Sequence, residues 1–437
     1  MSVGLHQAAA SAALLPAAPA ALLPAAPAAL PPAAAAALLH AVPAPIASRW
    51  PRYEADEIAA VEVVLRSGRV NALHHGTHNA RLQDGFAAVC AMPHAIALAN
   101  GTLALELALY ALNVGMGDEV IVPARSFVAS ASCVVTSGAT PVFADVDPET
   151  QALSAATIAA QLTRRTKAII VVHLGGRPAD MAPIVALARA HGLLLIEDCA
   201  QAHGATIDGQ AVGGFGDAAA FSFCTDKIMS TGGEGGLLLL RDEAAWRRAW
   251  SMKDHGKDVR DLGGGGGHTG FRWLHHEVGS NYRLTEMQAA IGVAQLAKLP
   301  AWLDARRRNA AAILAPLRGL DAVRLVEPPA EVGHAYYKFY AFVRHEALAP
   351  GWTRDRIVAE AVARGVPCLT GSCPEIYRER AFVERGLGRD TPLPVAKLLG
   401  ETSLMLPVDP TLDEEDCRYM GETVRAIAVE ATRRSHG

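Results

Sequence analysis

Between His94 and Leu240 two apolar patterns alternate along the chain. Short runs with almost no polar interruption read as strands: Ala95-Ile96-Ala97-Leu98-Ala99, Glu119-Val120-Ile121-Val122, Pro141-Val142-Phe143-Ala144, Thr166 to His173, Leu193 to Glu197, Ala218 to Phe223 and Gly236 to Leu240. Between them, Thr102 to Leu112, Val128 to Ser137 and Pro183 to His191 read as helices. An earlier helix is predicted over Glu54 to Ser67, from Ile58, Val61, Val64 and Leu65, with Gly68 as its C-cap. Strands that are apolar on both faces imply a mainly parallel sheet covered by helices, the three-layer α/β architecture. From Glu286 the pattern changes. Met287 to Leu299 and Trp302 to Leu317 predict long helices interrupted near Pro300, followed by a strand over Tyr336 to Val343 and helices over Arg354 to Arg364 and Asp413 to Arg433. The expected organisation is a tail over 1–48, a large domain over 49–285 and a smaller α+β domain over 286–437.

The tail changes the picture first. Residues 1–48 hold no Asp, Glu, Lys or Arg, and Leu-Leu-Pro-Ala-Ala-Pro-Ala-Ala occurs twice in tandem, at 14–21 and 22–29. Six prolines between Pro16 and Pro32 break any membrane helix, and no basic residues precede the apolar stretch as a signal peptide requires. The segment reads as a disordered Ala/Pro-rich tail without chemistry. In the whole chain of 437 residues, half are hydrophobic, and the net charge of −4 with no long basic run argues against a nucleic-acid partner. Seven cysteines without a Cys-x-x-Cys point to reduced thiols in the cytoplasm and to no structural metal.

The chemistry concentrates at the strand ends. The run Leu193 to Ile196 closes on Glu197-Asp198-Cys199-Ala200-Gln201, placing Asp198 at the end of a buried strand. Lys227 follows Phe221-Ser222-Phe223-Cys224-Thr225-Asp226 and precedes the glycine-rich turn Thr231 to Gly236. A lysine that can form a Schiff base, with a buried carboxylate to keep a pyridine nitrogen protonated, is what pyridoxal phosphate chemistry requires. Asn100-Gly101-Thr102 opens a helix after a strand, so its amides, the Gly101 backbone and the Thr102 hydroxyl suit a phosphate. Phe127 follows the next strand and can stack on a flat ring. Gln201 and Ser222 are further cofactor contacts, the Ser222 hydroxyl alternating with Phe221 and Phe223. Asp226 is expected to face outward, and His203, His334 and Lys338 are weaker pocket candidates. The glycine run 263–267 reads as a surface loop.

Together these residues resemble the sugar aminotransferase (DegT/StrS) family of fold type I pyridoxal phosphate enzymes. The resemblance rests on Asn100 to Leu105, Gly117 to Pro123, Pro141 to Asp147, Glu197 to Ala205, Phe221-Ser222-Phe223, Lys227 with Thr231 to Gly236, Asn281 to Glu286, and Leu406-Pro407. It covers the chain from about Arg49 onward. It implies Lys227 as the Schiff-base lysine, Asp198 as the pyridinium partner, Phe127 as the stacking ring, and Gln201 and Ser222 as cofactor contacts. It also implies that Asn281 reaches across a homodimer interface to the neighbouring subunit's cofactor phosphate. The expected activity is transamination of a nucleotide-linked keto-sugar, with L-glutamate as donor and 2-oxoglutarate as by-product, and with neither nucleic acid nor membrane as partner. A dehydratase on the same scaffold carries histidine where this chain has Lys227, and a non-catalytic sensor need not keep Asp198, Gln201, Ser222 and Lys227 together. A general amino-acid aminotransferase lacks the sugar-family motifs.

Overall fold

The computed structural model describes residues 45–72, 76–263 and 273–432. The expected tail therefore lies, up to residue 44, outside the described residues, as does most of the glycine run 263–267. Among the described residues no helix is long and apolar enough to cross a membrane.

Seven strands form the large sheet: β1 (His94–Leu98), β2 (Glu119–Pro123), β3 (Thr140–Ala144), β4 (Thr166–Val172), β5 (Leu194–Asp198), β8 (Ala218–Ser222) and β9 (Gly236–Leu240). Between β5 and β8 lie the two-residue strands β6 (Thr206–Ile207) and β7 (Gln210–Ala211). The sheet order is β1-β9-β8-β5-β4-β2-β3, and β9 alone runs against its neighbours. All seven predicted strands are present, and the sheet is mainly parallel. Their interiors are apolar on both faces because helices such as Gly101–Ala111 and Met181–His191 cover them, as the unbroken apolar runs demand.

A second sheet, β10 (Val323–Arg324), β12 (Phe339–Val343) and β13 (Ser403–Leu406), is antiparallel and packs in a separate apolar cluster with Ile357, Ile427 and Met420. A short strand, β11 (Val332–Gly333), pairs with β6 and joins β6 and β7 in a third, three-stranded antiparallel sheet, so the late segment meets the connection between β5 and β8. The predicted strand over Tyr336 to Val343 begins only at Phe339, since Tyr336 takes a left-handed backbone with φ 45°.

One expectation is corrected here. The two helices expected either side of Pro300 are a single helix, Glu286–Leu317, that runs through both Pro300 and Pro316. Proline removes one backbone hydrogen bond there, but Leu299 and Leu303 are buried on either side and hold the helix in register. The Ala55–Ser67 helix ends at Gly68, φ 67°, as predicted. Its buried face is Glu57 and Val64, however, and Ile58 and Leu65 remain 62% and 54% exposed.

Candidate active site

The carboxyl edge of a parallel sheet is where strand ends leave a crevice, and here it opens into a cavity of about 880 Å³. After β1, Asn100 caps the Gly101–Ala111 helix, its side chain accepting from the Leu103 amide at 2.9 Å. The first-turn amides of Gly101 and Thr102 have no intrahelical acceptor, and both residues line the cavity at the positive end of the helix. Gly101 is small for a reason the sequence did not reveal. A Cβ there would lie 2.7 Å from the Ser222 Cβ, so the space is taken by β8 rather than left for a ligand. Gly236, opposite Leu98 and Ser222 in the ladder, would likewise press a Cβ to 2.3 Å from the Asn100 carbonyl carbon.

Asp198 ends β5 on the cavity floor. Its register partner on β8 is Ala220, a residue small enough to leave the carboxylate open to the cavity. The Ser130 hydroxyl donates to its Oδ2 at 2.8 Å and the Ala200 amide to its Oδ1 at 3.1 Å. Burial raises its pKa above the usual aspartate value; these two donors and the charge of Lys227 oppose the rise without cancelling it. A buried carboxylate short of positive charge is well matched to a protonated ring nitrogen.

Lys227 closes the opposite side. Its backbone is pinned by its own amide bonding Cys224 O at 3.1 Å and by the Trp50 indole donating to Lys227 O at 2.7 Å. Its Nζ lies 3.4 Å from Asp226 Oδ1 and 5.2 Å from the centre of the Tyr337 ring. The expectation that Asp226 faces outward is therefore wrong. Half-exposed as it is, its carboxylate is drawn in by two donors, the Lys227 ammonium and the Tyr337 hydroxyl, which hydrogen-bonds Oδ2. Burial works against the Asp226 charge, but those two neighbours prevail and its pKa is lowered.

Phe127 lines the cavity with 63% of its surface exposed. Gln201 lines it too, its Oε1 occupied by the Gly175 amide at 2.7 Å, which leaves the amide Nε2 to meet a ligand. Ser222 and Lys338 complete the lining, while Phe221 and Phe223 are buried in the core behind. Three expected residues lie elsewhere. Asn281 is exposed and bridges Asp254, away from this cavity. His203 is buried among Phe86, Phe221 and Phe223, and His334 stacks on Tyr336 beside a separate small pocket. Sequence reasoning passed over Ser130, one turn beyond Ser126, and Tyr337, which sat inside a run read only as a strand. Pyridoxal phosphate presents a ring nitrogen, two ring faces, a carbonyl carbon and a phosphate. The cavity offers a buried carboxylate, an open aromatic face, an amine and a helix start to match them.

The residues 51–425 match the DegT/DnrJ/EryC1/StrS aminotransferase family. Among curated proteins, the UDP-N-acetyl-3-dehydro-alpha-D-glucosamine 3-aminotransferase of Acidithiobacillus ferrooxidans is 39% identical over 351 residues, 80% of this chain and 88% of that protein. The GDP-perosamine synthase of Caulobacter vibrioides is 40% identical over 335 residues, 76% of this chain and 85% of that protein. Among solved structures, an aminotransferase from Psychrobacter cryohalolentis superposes with a TM-score of 0.85 at 46% identity, covering 88% of this chain and 99% of that one.

Proposed function

We propose, from the premise that this chain belongs to the DegT/DnrJ/EryC1/StrS aminotransferase family and is thus a pyridoxal-phosphate-dependent aminotransferase, that it aminates a nucleotide-linked keto-sugar with L-glutamate as donor. The single observation that carries the site assignment is the convergence of Lys227, Asp198, Phe127 and the Gly101–Thr102 helix start on one cavity. The sugar-nucleotide class is supported by the two curated relatives, one acting on a UDP-sugar and the other named for a GDP-sugar.

Bound in the cavity, the cofactor supplies an electron sink next to the carbon that loses or gains the amine. The chain's residues do the rest. Lys227 Nζ would hold the cofactor and, when free, would move a proton from the donor's α-carbon, as base then acid. Asp198 would hold a proton on the ring nitrogen, and Phe127 would offer its ring to a face of the cofactor. The Gly101 and Thr102 amides with Ser222 Oγ would hold the phosphate, and Gln201 Nε2 would be the donor to the ring's oxygen. Asn281 serves the site of a second copy. That pairing is supported by Asn281 not lining its own chain's cavity and by Ile58, Val63 and Leu65, left exposed on one helix. We also retain the division at 285/286, supported by the separate apolar cluster around β10, β12 and β13.

The test begins with colour. Purified protein is expected to be yellow, and borohydride to fix the cofactor on Lys227 in a peptide map. L-Glutamate is expected to bleach it and 2-oxoglutarate to restore it. A panel of UDP-, GDP- and dTDP-linked keto-sugars then identifies the acceptor; turnover with simple 2-oxo acids and none of the panel would overturn the substrate class.

A further inference from the structure

Two lysines line the cavity, and they differ in what meets their charge. Lys227 has the Asp226 carboxylate beside it, whereas Lys338 has none in contact. Among the described residues no hydrogen bond or ion pair holds Lys338 Nζ, which rests 5.0 Å from the centre of the Tyr337 ring. Burial lowers its pKa and the Arg306 guanidinium adds to that; the Asp409 and Asp226 carboxylates, neither in contact with it, do not reverse the shift. A half-buried ammonium left unpaired by the fold is unfavourable in the empty cavity and becomes favourable when a ligand brings it an anion. Its place is fixed. The Lys338 amide donates to Gly175 O at 3.3 Å, and the Gly175 amide donates to Gln201 Oε1 at 2.7 Å. This residue of the late segment is thereby fastened to the loop that also orients Gln201. The Tyr337 ring lies against both amines, with Lys227 Nζ 5.2 Å from its centre, so Lys338 faces the part of the cavity in which a substrate amine would meet Lys227.

We propose that Lys338 is the donor-binding residue of this cavity, its ammonium taking a carboxylate of the amino acid that delivers the amine. The proposal rests on the aminotransferase reading, with Lys227 as the cofactor lysine. The two substrates differ in charge at this point. An amino acid carries its α-carboxylate on the very carbon that gives up the amine, and L-glutamate adds a second carboxylate on its side chain. A nucleotide-linked keto-sugar surrounds its carbonyl with hydroxyls and keeps its phosphates away from it, beyond the sugar ring. A cation that shares the Tyr337 ring with Lys227 therefore selects for the donor. Lysine suits the task, because a point charge on a flexible stem can follow the carboxylate and then release it when the keto-sugar enters.

The experiment compares the holoenzyme of the full chain with Lys338→Met, which keeps an apolar stem of similar length. α-Methyl-L-glutamate lacks the hydrogen that transamination removes, so the cofactor's absorbance reports its binding alone. Its Kd is expected to rise about 10- to 100-fold in the variant, the worth of a charge-assisted hydrogen bond. The KM for L-glutamate should rise by a similar factor with kcat changed far less, and the loss should exceed that for the keto-sugar by about tenfold or more. Lys338→Arg should recover part of the donor affinity. L-Glutamine identifies the carboxylate: an equal loss marks the α-carboxylate, and a loss confined to L-glutamate marks the one on the side chain. Urea unfolding of the ligand-free variant should give a midpoint no lower than that of the unaltered chain, because a charge without a partner has been removed. Unchanged donor binding in Lys338→Met, losses of equal size for donor and keto-sugar, or a clearly lower urea midpoint overturns the proposal. Failure of the aminotransferase reading shows differently, as an unaltered chain that takes up no pyridoxal phosphate or is bleached by no amino acid.

Discussion

Phe127 leaves 63% of its surface in solvent although Ser126 before it and Ala129 two residues on are buried. A side chain that contributes so little to the apolar core is nearly free to be removed. Phe127→Ala is therefore expected to change folding stability by no more than about 0.5 kcal/mol. Its loss should instead weaken pyridoxal phosphate binding roughly five- to tenfold, the worth of one stacked aromatic pair. Urea unfolding without cofactor and an absorbance titration with it measure the two effects separately. Asp198 inverts that logic. Burial disfavours its charge, so Asp198→Asn should leave the ligand-free chain as stable or more so, while turnover falls by about 10²-fold or more. A variant that unfolds and stays active would contradict both halves. These two residues were legible in the sequence because each stands at a strand end with a distinct chemical character. Tyr337 and Ser130 were not. Their importance comes from meeting Asp226 and Asp198 across 111 and 68 residues of chain, and no local pattern records such a meeting.

At the scale of elements, what the sequence disclosed depended on what each element buries. The strands of the large sheet bury long aliphatic runs, and all seven were foreseen. The Thr77–Cys90 helix was missed because its buried set is Asn79, Leu82, Phe86 and Cys90, the first a polar residue bonded to Glu286 at 2.6 Å. The Glu243–Lys253 helix was missed because its fully buried residues are only Ala245, Ala249 and Lys253, while Trp246, Trp250 and Met252 pack half-buried against the core between arginines. Pro300 misled for the opposite reason, since a local breaker was outweighed by packing. Glu197 is the sharpest case of an element held by one side chain. Its carboxylate accepts the amides of Gly213, Phe215 and Gly216, each at 2.8 Å, and meets His173 Nε2 at 3.1 Å. His173 Nδ1 accepts from the Ala179 amide, so Nε2 carries the proton and donates. Glu197→Ala strands four buried donors and should cost about 3–5 kcal/mol, seen as a lower urea midpoint at unchanged slope. Glu197→Gln, which keeps the shape and one acceptor, should lose clearly less.

For the molecule as a whole, the balance of buried titratable groups sets how stability responds to acid. His203 is fully buried with no hydrogen bond to either ring nitrogen, and burial first, then the Lys227 charge, lowers its pKa to about 3. His334 is lowered to about 3 by burial and by Arg177 and Arg307. In the unfolded chain both titrate near 6.5. Below that pH the unfolded state takes up protons that the native state refuses until pH falls to about 3, so their contribution is complete above pH 6.5 and is lost on acidification. The slope approaches about 1.4 kcal/mol per pH unit for each histidine. Asp198, raised by burial, acts with the opposite sign and blunts the total, so a bare pH profile does not isolate the histidines. A substitution does. His203 already sits among the rings of Phe86, Phe221 and Phe223, and His203→Phe places an apolar ring of similar size there without a titrating group. Urea unfolding at pH 7, 6 and 5 should show the variant gaining on the unaltered chain as pH falls, by up to about 1.4 kcal/mol per unit between pH 6 and 5. Parallel pH profiles for the two proteins would mean that His203 accepts a proton in the folded state, and that the space behind the Lys227 loop is wetter than the rings around it imply.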